Sequence, residues 1–240
     1  MIDWLRADAA APEVEIGGRM LPIELRRMRR AKRLTLRLAP DGSAVRMTLP
    51  QWCATAEAIA FVHARKAWLA AELAKVPEPC DPVTSGRIAY RGSDLAVAFA
   101  SDKPRKPRIE DRLLHVGGVE NTLAKRLARW LEAEALELFE SDAAEYCDRA
   151  GISTAPVRLT RAKRRWGSCS SEGVLRINWR LVQAPDPVRR SVVAHEVAHL
   201  LHFDHSPAFH AMMDKIFEGD LAAANRWLSQ NGRGLYAAFG

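Results

Sequence analysis

Residues 13–50 alternate apolar and polar side chains at a period of two, the pattern of strands buried on one face. In RLTLRL, Leu34, Leu36 and Leu38 interleave with Arg33, Thr35 and Arg37. VRMTL repeats the alternation after an Asp41-Gly42 turn, and together these segments predict an antiparallel meander. The period then changes to that of a helix over residues 55–75, where AEAIAFVHARKAWLAAELAK is dominated by helix-favouring residues and Thr55 stands at the capping position. PEPCDP (77–82) ends it. RIAYRG, DLAVAFA and RLLHV predict further short strands, with SDKPRKPR a proline-interrupted basic loop between them.

A second unit begins near Val116-Gly117-Gly118. From Asn121 a long amphipathic helix carries Leu123, Leu127, Trp130, Leu131 and Leu138 at helical spacing and stops at Gly151. APVRLTRA, RWGSCS and VLRINW predict three strands, the last two joined by a tight Ser171-Glu172-Gly173 turn. APDPV then opens a helix, with Asp186 as its cap and Pro187 at its first position. No internal repeat and no low-complexity tract is visible. The pattern is that of an α+β protein: a β-rich part with one helix over residues 1–118, then residues 119–240 with a long helix, a short antiparallel sheet and a histidine-bearing helix.

Composition narrows the class. With 48% apolar and 27% charged residues over 240 positions, the chain is globular and excludes wholesale disorder. The formal charge of +7 admits polyanions as partners without bearing on the fold. Four cysteines (Cys53, Cys80, Cys147, Cys169) lie far apart with no CxxC spacing, which excludes a zinc ribbon and a disulfide framework. MIDWLRADAAAPEVEIGG lacks a cationic start followed by an apolar stretch, and no apolar run reaches the roughly 18 residues of a membrane span. A reduced, cytoplasmic protein is expected.

HEVAHLLHFDH, residues 195–205, holds four of the chain's seven histidines. His195 and His199 are four apart, so on a helix they lie on one face about one turn from each other, the geometry by which two imidazoles converge on one ion. Val193, Val197, Leu200 and Leu201 take the opposite, core-facing stripe, while Val188 and Val192 cover the histidine side and put the imidazoles on the floor of a cleft. Glu196 falls between the two faces, placed to accept a proton instead of ligating the metal. A third ligand is then required. His202 shares the face but lies roughly 10 Å from His195 along the axis, too far for both to reach one ion, and is expected at the cleft wall. His205 gives H-E-x-x-H-x5-H, the metzincin spacing, with His202 in place of the signature's glycine. Ser206 as cap and Pro207 at the first position would start a new helix at once, and a break at Phe203-Asp204 would turn His205 back toward the site. His210, further along that helix, and Glu218, placed as in gluzincins, stand as alternative third ligands.

Three protein ligands leave a fourth position for water, whose pKa zinc lowers toward about 7. One zinc ion is therefore the expected cofactor, with Glu196 as the general base that turns the site into a hydrolase. The preceding RWGSCS could supply an exposed edge that pairs with a peptide, which makes Arg165, Trp166, Gly167 and Ser168 candidates for substrate binding alongside His202 and His210. The competing reading is a structural hairpin that packs Trp166 and Trp179 into the core. Cys169 reads as a small buried residue. Two further functions compete with a peptidase. RAKRR (161–165) beside the cleft either suits phosphate, hence metal-dependent nucleotide hydrolysis, or forms a solvated strand face. RRMRRAKR (26–33), with six basic residues in eight, and KPRKPR (103–108), with four in six, suit nucleic acid or form only a solvated outer face.

On these residues the chain resembles the YgjP-like metal-dependent hydrolases, a zincin family related in motif to the SprT-like proteases. The resemblance rests on RRMRRAKRLTLRLAPDGSAVRMTLP with its following helix, on YRG, and above all on RRWGSCSSEGVLRINWRL and VVAHEVAHLLHFDHSPAFH. It implies a zincin-like catalytic unit in the carboxy-terminal half behind a β-rich amino-terminal part. It also implies His195, His199 and His205 as metal ligands and Glu196 as catalytic base. His210 stands where the family usually shows tryptophan. The resemblance leaves the substrate open: a peptide or protein, as the motif suggests, a nucleoside triphosphate cleaved to release pyrophosphate, or protein bound to nucleic acid, as for some SprT-like proteases.

Overall fold

The computed structural model describes residues 12–76 and 80–239; the amino-terminal stretch 1–11 and part of the PEPCDP breaker lie outside them. Near the amino terminus, strands β1 (Glu13–Ile16), β2 (Arg19–Arg27), β3 (Thr35–Leu38) and β4 (Val45–Leu49) form a sheet in the order β1-β2-β4-β3. The outer pairs are antiparallel, but β2 and β4 run parallel, with Ile23 opposite Val45 and Arg27 opposite Leu49. The expected meander is thus a mixed sheet. Alternation places side chains on faces but is blind to strand direction, and residues 28–34 carry the chain across to the far side of β4. The helix expected over 55–75 is two, α1 (Thr55–Ala64) and α2 (Lys66–Leu73), broken at Arg65 with φ −109° and ψ 16°. Val62 and Leu69, one from each helix, are fully buried in one core with Val14, Ile23, Met47 and Leu49. Ala54 takes the capping position, and Thr55 is the first helical residue.

The chain divides into two units, Met1–Glu78 and Pro79–Gly240. The second opens with a short helix α3 (Pro82–Ser85) and strands β5 (Arg87–Tyr90), β6 (Ser93–Phe99), β7 (Arg108–Glu110) and β8 (Leu113–Val116), ordered β5-β6-β8-β7 with β6 parallel to β8. Order and directions repeat those of the first sheet, a topological repeat that the residue pattern does not reveal. The expected boundary at 118 falls at 78 instead because this second sheet buries its apolar face against the helix after it. Ile88, Leu95, Leu114 and Val116 share one core with Leu123, Leu127 and Trp130 of that helix, α4 (Leu123–Ala150). The Tyr90 ring lies 5.1 Å from that of Trp130, and its hydroxyl donates to Glu134 at 2.7 Å. Helix α4 ends at Gly151, whose φ of +77° closes the last turn as expected.

Strands β9 (Val157–Thr160), β10 (Gly167–Cys169) and β11 (Leu175–Asn178) form a third sheet in the order β10-β11-β9. Only β10 and β11 are antiparallel; β9 runs parallel to β11, so the short antiparallel sheet expected here is mixed. A 3-10 turn, Trp179–Gln183, leads into helix α5 (Asp186–Ala198), followed by α6 (Pro207–Ile216) and α7 (Leu221–Asn231). Asp186 is the first residue of α5, not its cap, since Pro185 takes that place. Val188, Val192, Val193 and Val197 are buried as the helical projection requires, but Leu201 lies beyond the end of α5 and is 41% exposed. All four cysteines are free, and no helix among the described residues is long and apolar enough to cross a membrane.

Candidate metal centre

Helix α5 is fixed at its amino-terminal end by charge. Arg91, in the β5–β6 turn, donates to the Asp186 carboxylate at 3.0 and 3.1 Å, and the neighbouring Gly92 lies so close to Pro185 that a Cβ would stand 2.8 Å from its Cα. One turn on, the buried Arg189 reaches the buried Asp142 of α4 at 2.8 Å, and Arg190 adds bonds to Asp142, Glu145 and Glu218 at 3.0, 2.9 and 2.7 Å. A buried pair of this kind sets register more than it adds net stability. It ties the Arg189 face of α5 to α4.

Three imidazoles meet at the other end of α5. The Nε2 atoms of His195 and His199 are 3.1 Å apart, and that of His205 is 3.3 Å from His195. Two nitrogens about 2.0–2.1 Å from one ion at the tetrahedral angle stand about 3.3 Å apart, so the spacing fits a shared metal ion. The donor chemistry fits as well. His199 Nδ1 lies 2.9 Å from the backbone oxygen of His202, the second bond that leaves Nε2 as the free lone pair. Burial, then the neighbouring imidazoles, push His195 down to about 4, which keeps it neutral and able to ligate. The last turn of α5 tightens to Leu200–Val197 and Leu201–Ala198 hydrogen bonds, after which the Asp204 carboxylate accepts from the Ser206 backbone at 3.4 Å. Ser206 caps α6 and Pro207 is its first residue. This is the break that brings His205 back.

Glu196 is only 5% exposed and lies on the side of α5 that faces β10. Its side chain rests directly on the backbone of Gly167: a Cβ there would stand 2.6 Å from Cγ and 2.8 Å from Cδ, and closer still to Oε1. Burial pushes the carboxyl up to about 7, opposed by the charge of Arg165 and by a hydrogen bond from the Cys169 backbone. β10 is an edge of its sheet, so its outer backbone groups have no strand partner within that sheet. The carboxylate of the residue next to His195 thus packs on the face of β10, the outer strand of its sheet.

The other candidates separate clearly. Arg165 is exposed at the start of β10. Trp166 is half-buried, 5.8 Å from the Tyr236 ring, in a place kept open by Gly232, and its carbonyl accepts from Asn178. Trp166 and the buried Trp179 therefore play the structural part. Ser168, opposite Arg176, is half-buried on β10. His202 contributes its backbone oxygen, not its ring. His210 is exposed one residue past Phe209 and lies outside the nitrogen cluster, although its charge is felt at His195. Glu218 is engaged elsewhere, accepting from Arg149, Arg190 and the Tyr146 hydroxyl. The Cys169 thiol is raised by burial and then by the charge of Glu196, the opposite of an activated thiolate.

Two residues of the site were not singled out by sequence. Phe209, 1% exposed, places its ring 4.9, 4.7 and 4.8 Å from those of His195, His199 and His205, forming the common floor of the three. Its signal was present, since it lies one helical turn after His205 on a helix whose start was legible. Asn178, fully buried, holds the loop before β10 through its side chain's bond to the Ala162 carbonyl at 2.9 Å. A lone asparagine at a strand end carries no such signal.

Among solved structures, the metallopeptidase zymogen abylysin of Pyrococcus abyssi matches 40% of this chain and 96% of its own, at 22% identity and a TM-score of 0.36. The metallopeptidase zymogen jannalysin of Methanocaldococcus jannaschii matches 39% of this chain and 88% of its own, at 16% identity and a TM-score of 0.35. No curated protein matches the sequence. The profile of the YgjP-like metallopeptidase domain matches residues 32–231, a span that contains the three histidines, Glu196 and strand β10, and the chain therefore belongs to the YgjP-like metallopeptidase family.

Proposed function

We propose that this protein is a zinc-dependent peptidase in which His195, His199 and His205 hold one zinc ion and Glu196 moves the proton. The observation that carries this reading is the convergence of three imidazole nitrogens at the end of the helix that also bears a buried carboxylate, packed on Gly167 of the outer strand β10. When bound, the ion supplies a Lewis acid that polarises the scissile carbonyl and makes water a nucleophile at neutral pH. Glu196 accepts a proton from the attacking water and passes it to the departing amine. Gly167 and the Cys169 N–H hold the carboxylate in place for both transfers. The edge of β10 aligns an extended substrate by pairing with its backbone.

The test is direct. Zinc-loaded protein is expected to cleave an unfolded protein or a peptide library. Glu196→Gln is expected to retain the zinc while losing roughly 10²–10⁴ in rate. Cleavage by Glu196→Gln at the wild-type rate would remove Glu196 from the chemistry, and an intact library with loaded wild-type protein would refute the peptidase.

One observation favours a second substrate. Arg164 and Arg165 are exposed at the start of β10 with no ion pair among the described residues, and Arg165 is near enough to Glu196 to lower its pKa. Such a pair suits a phosphate chain. Glu196-dependent release of pyrophosphate from nucleoside triphosphates would favour a pyrophosphatase over a peptidase.

A further inference from the structure

The basic run that precedes β3 has a structural context that its composition does not disclose. β2 and β4 run parallel and end together, with Arg27 opposite Leu49 and the Met28 N–H bonded to the Leu49 carbonyl at 3.0 Å. β3 begins at the same end, with Thr35 opposite Thr48. Residues 28–34 therefore cross from β2 to β3 at the end of β4 from which residues 50–54 also emerge. Arg29, Arg30, Lys32 and Arg33 in this crossing are all exposed, and none has an ion pair among the described residues. No acidic residue occurs between Glu24 and Asp41.

The emerging loop presents Trp52. At 77% exposure it is the most exposed large apolar side chain among the described residues. It is not left loose. The guanidinium of Arg27 donates to the carbonyls on either side of it, Gln51 at 3.3 Å and Cys53 at 2.6 Å, and to the Thr55 hydroxyl at 2.9 Å. Cys53 itself is buried in the core of this unit, anchoring the loop from below. One arginine thus serves to fix a loop whose central indole contributes nothing to the core. The acid nearest this loop in sequence, Glu57, is tied to the Cys53 thiol at 3.4 Å.

We propose that this end of the sheet binds single-stranded nucleic acid, with a base stacked on Trp52 and the flanking phosphates held by Arg29, Arg30, Lys32 and Arg33. Every base has a π-face, so an exposed indole on a loop whose backbone is fixed serves any sequence, and arginines near it follow the backbone. A duplex keeps its bases stacked on one another and offers the indole nothing but an end. The site does not depend on the peptidase reading: it lies in Met1–Glu78, whereas the histidines and Glu196 lie in Pro79–Gly240.

The experiment uses the full chain and a fluorescein-labelled oligothymidylate of about 15 nucleotides, the upper size of a stacking site of this kind. Anisotropy is expected to show binding at about 50 mM salt that weakens with a log–log slope near −3, about −0.7 for each of four cations. Trp52→Ala should weaken binding about ten-fold or more, and Trp52→Phe should restore most of it. Arg30→Ala with Lys32→Ala and Arg33→Ala should flatten the salt slope. Because these side chains are exposed, the variants should keep the wild-type thermal midpoint, and Glu196→Gln should bind the oligonucleotide as wild type does. No binding at low salt would overturn the proposal. So would equal affinity for Trp52→Ala, a duplex bound as tightly as the single strand, or retention on phosphatidylserine vesicles without retention of the oligonucleotide.

Discussion

Gly167→Ala isolates the contact that holds the proposed base. Gly167 has ordinary strand backbone, so alanine costs nothing in backbone conformation; the cost is entirely in space. A new Cβ would stand 2.6 Å from Glu196 Cγ, where carbon atoms normally rest about 3.5–4.0 Å apart, so one partner must yield by about 1 Å. β10 is tied to β11 through Gly167 opposite Ile177, and Ile177 is fully buried, so the side chain of Glu196 is the element that moves. Overpacking of this kind costs about 1–3 kcal/mol of stability, visible as a lowered thermal midpoint in a protein that remains folded. A misplacement of about 1 Å in a reacting group costs on the order of 10² in rate, equivalent to about 2.7 kcal/mol of barrier. The assay is kcat/KM on a quenched peptide together with zinc content. Gly167→Ala is expected to keep one zinc per chain and lose about 10²-fold in rate. Combined with Glu196→Gln it should lose little more than Glu196→Gln alone, since both remove the same function. Losses that multiply in the double variant, or a folded Gly167→Ala with wild-type activity, would refute the assignment of Glu196.

The third ligand and the charge network supply the remaining predictions. His205→Ala should weaken zinc binding by more than the roughly 10–100-fold that loss of a supporting hydrogen bond costs, whereas His210→Ala should leave it unchanged, as read by titration against a competing chelator. For Glu218, burial alone would raise the carboxyl, but hydrogen bonds from Arg190 and Arg149 overcome it and bring the folded-state value to about 2 from 4.5. A depressed carboxylate contributes stability above its unfolded value and loses it as pH falls toward the folded one. Acid should therefore destabilise the protein between about pH 4.5 and 2, and Glu218→Gln should flatten that part of the stability profile in denaturant titrations. An unchanged profile would show that Arg149 and Arg190 do not act through Glu218.

Local rules made the helix starts and stops readable. Ser206-Pro207 and Gly151 mark ends set by the backbone chemistry of one or two residues, and the spacing of His195, His199 and His205 is a consequence of helical rise plus one break. The α+β class was likewise visible, because the change of period from two to 3.6 is written residue by residue. What only the tertiary structure decided is pairing across distance. The parallel β2–β4 and β6–β8 pairs, and the place of β5–β8 in the carboxy-terminal unit, depend on which faces bury each other. Alternation is the same whichever partner is chosen. The break at Arg65 that divides α1 from α2 is likewise not written in helix propensity, which favours a continuous helix there. Glu218 is removed from the ligand candidates by arginines far from it in sequence. Gly167 matters because Glu196, far along the chain, fills the space a side chain would need. The sequence by itself determined which residues could do chemistry and on which local elements they lie. Packing, which answers to volume and charge between elements remote in the chain, decided which of them meet.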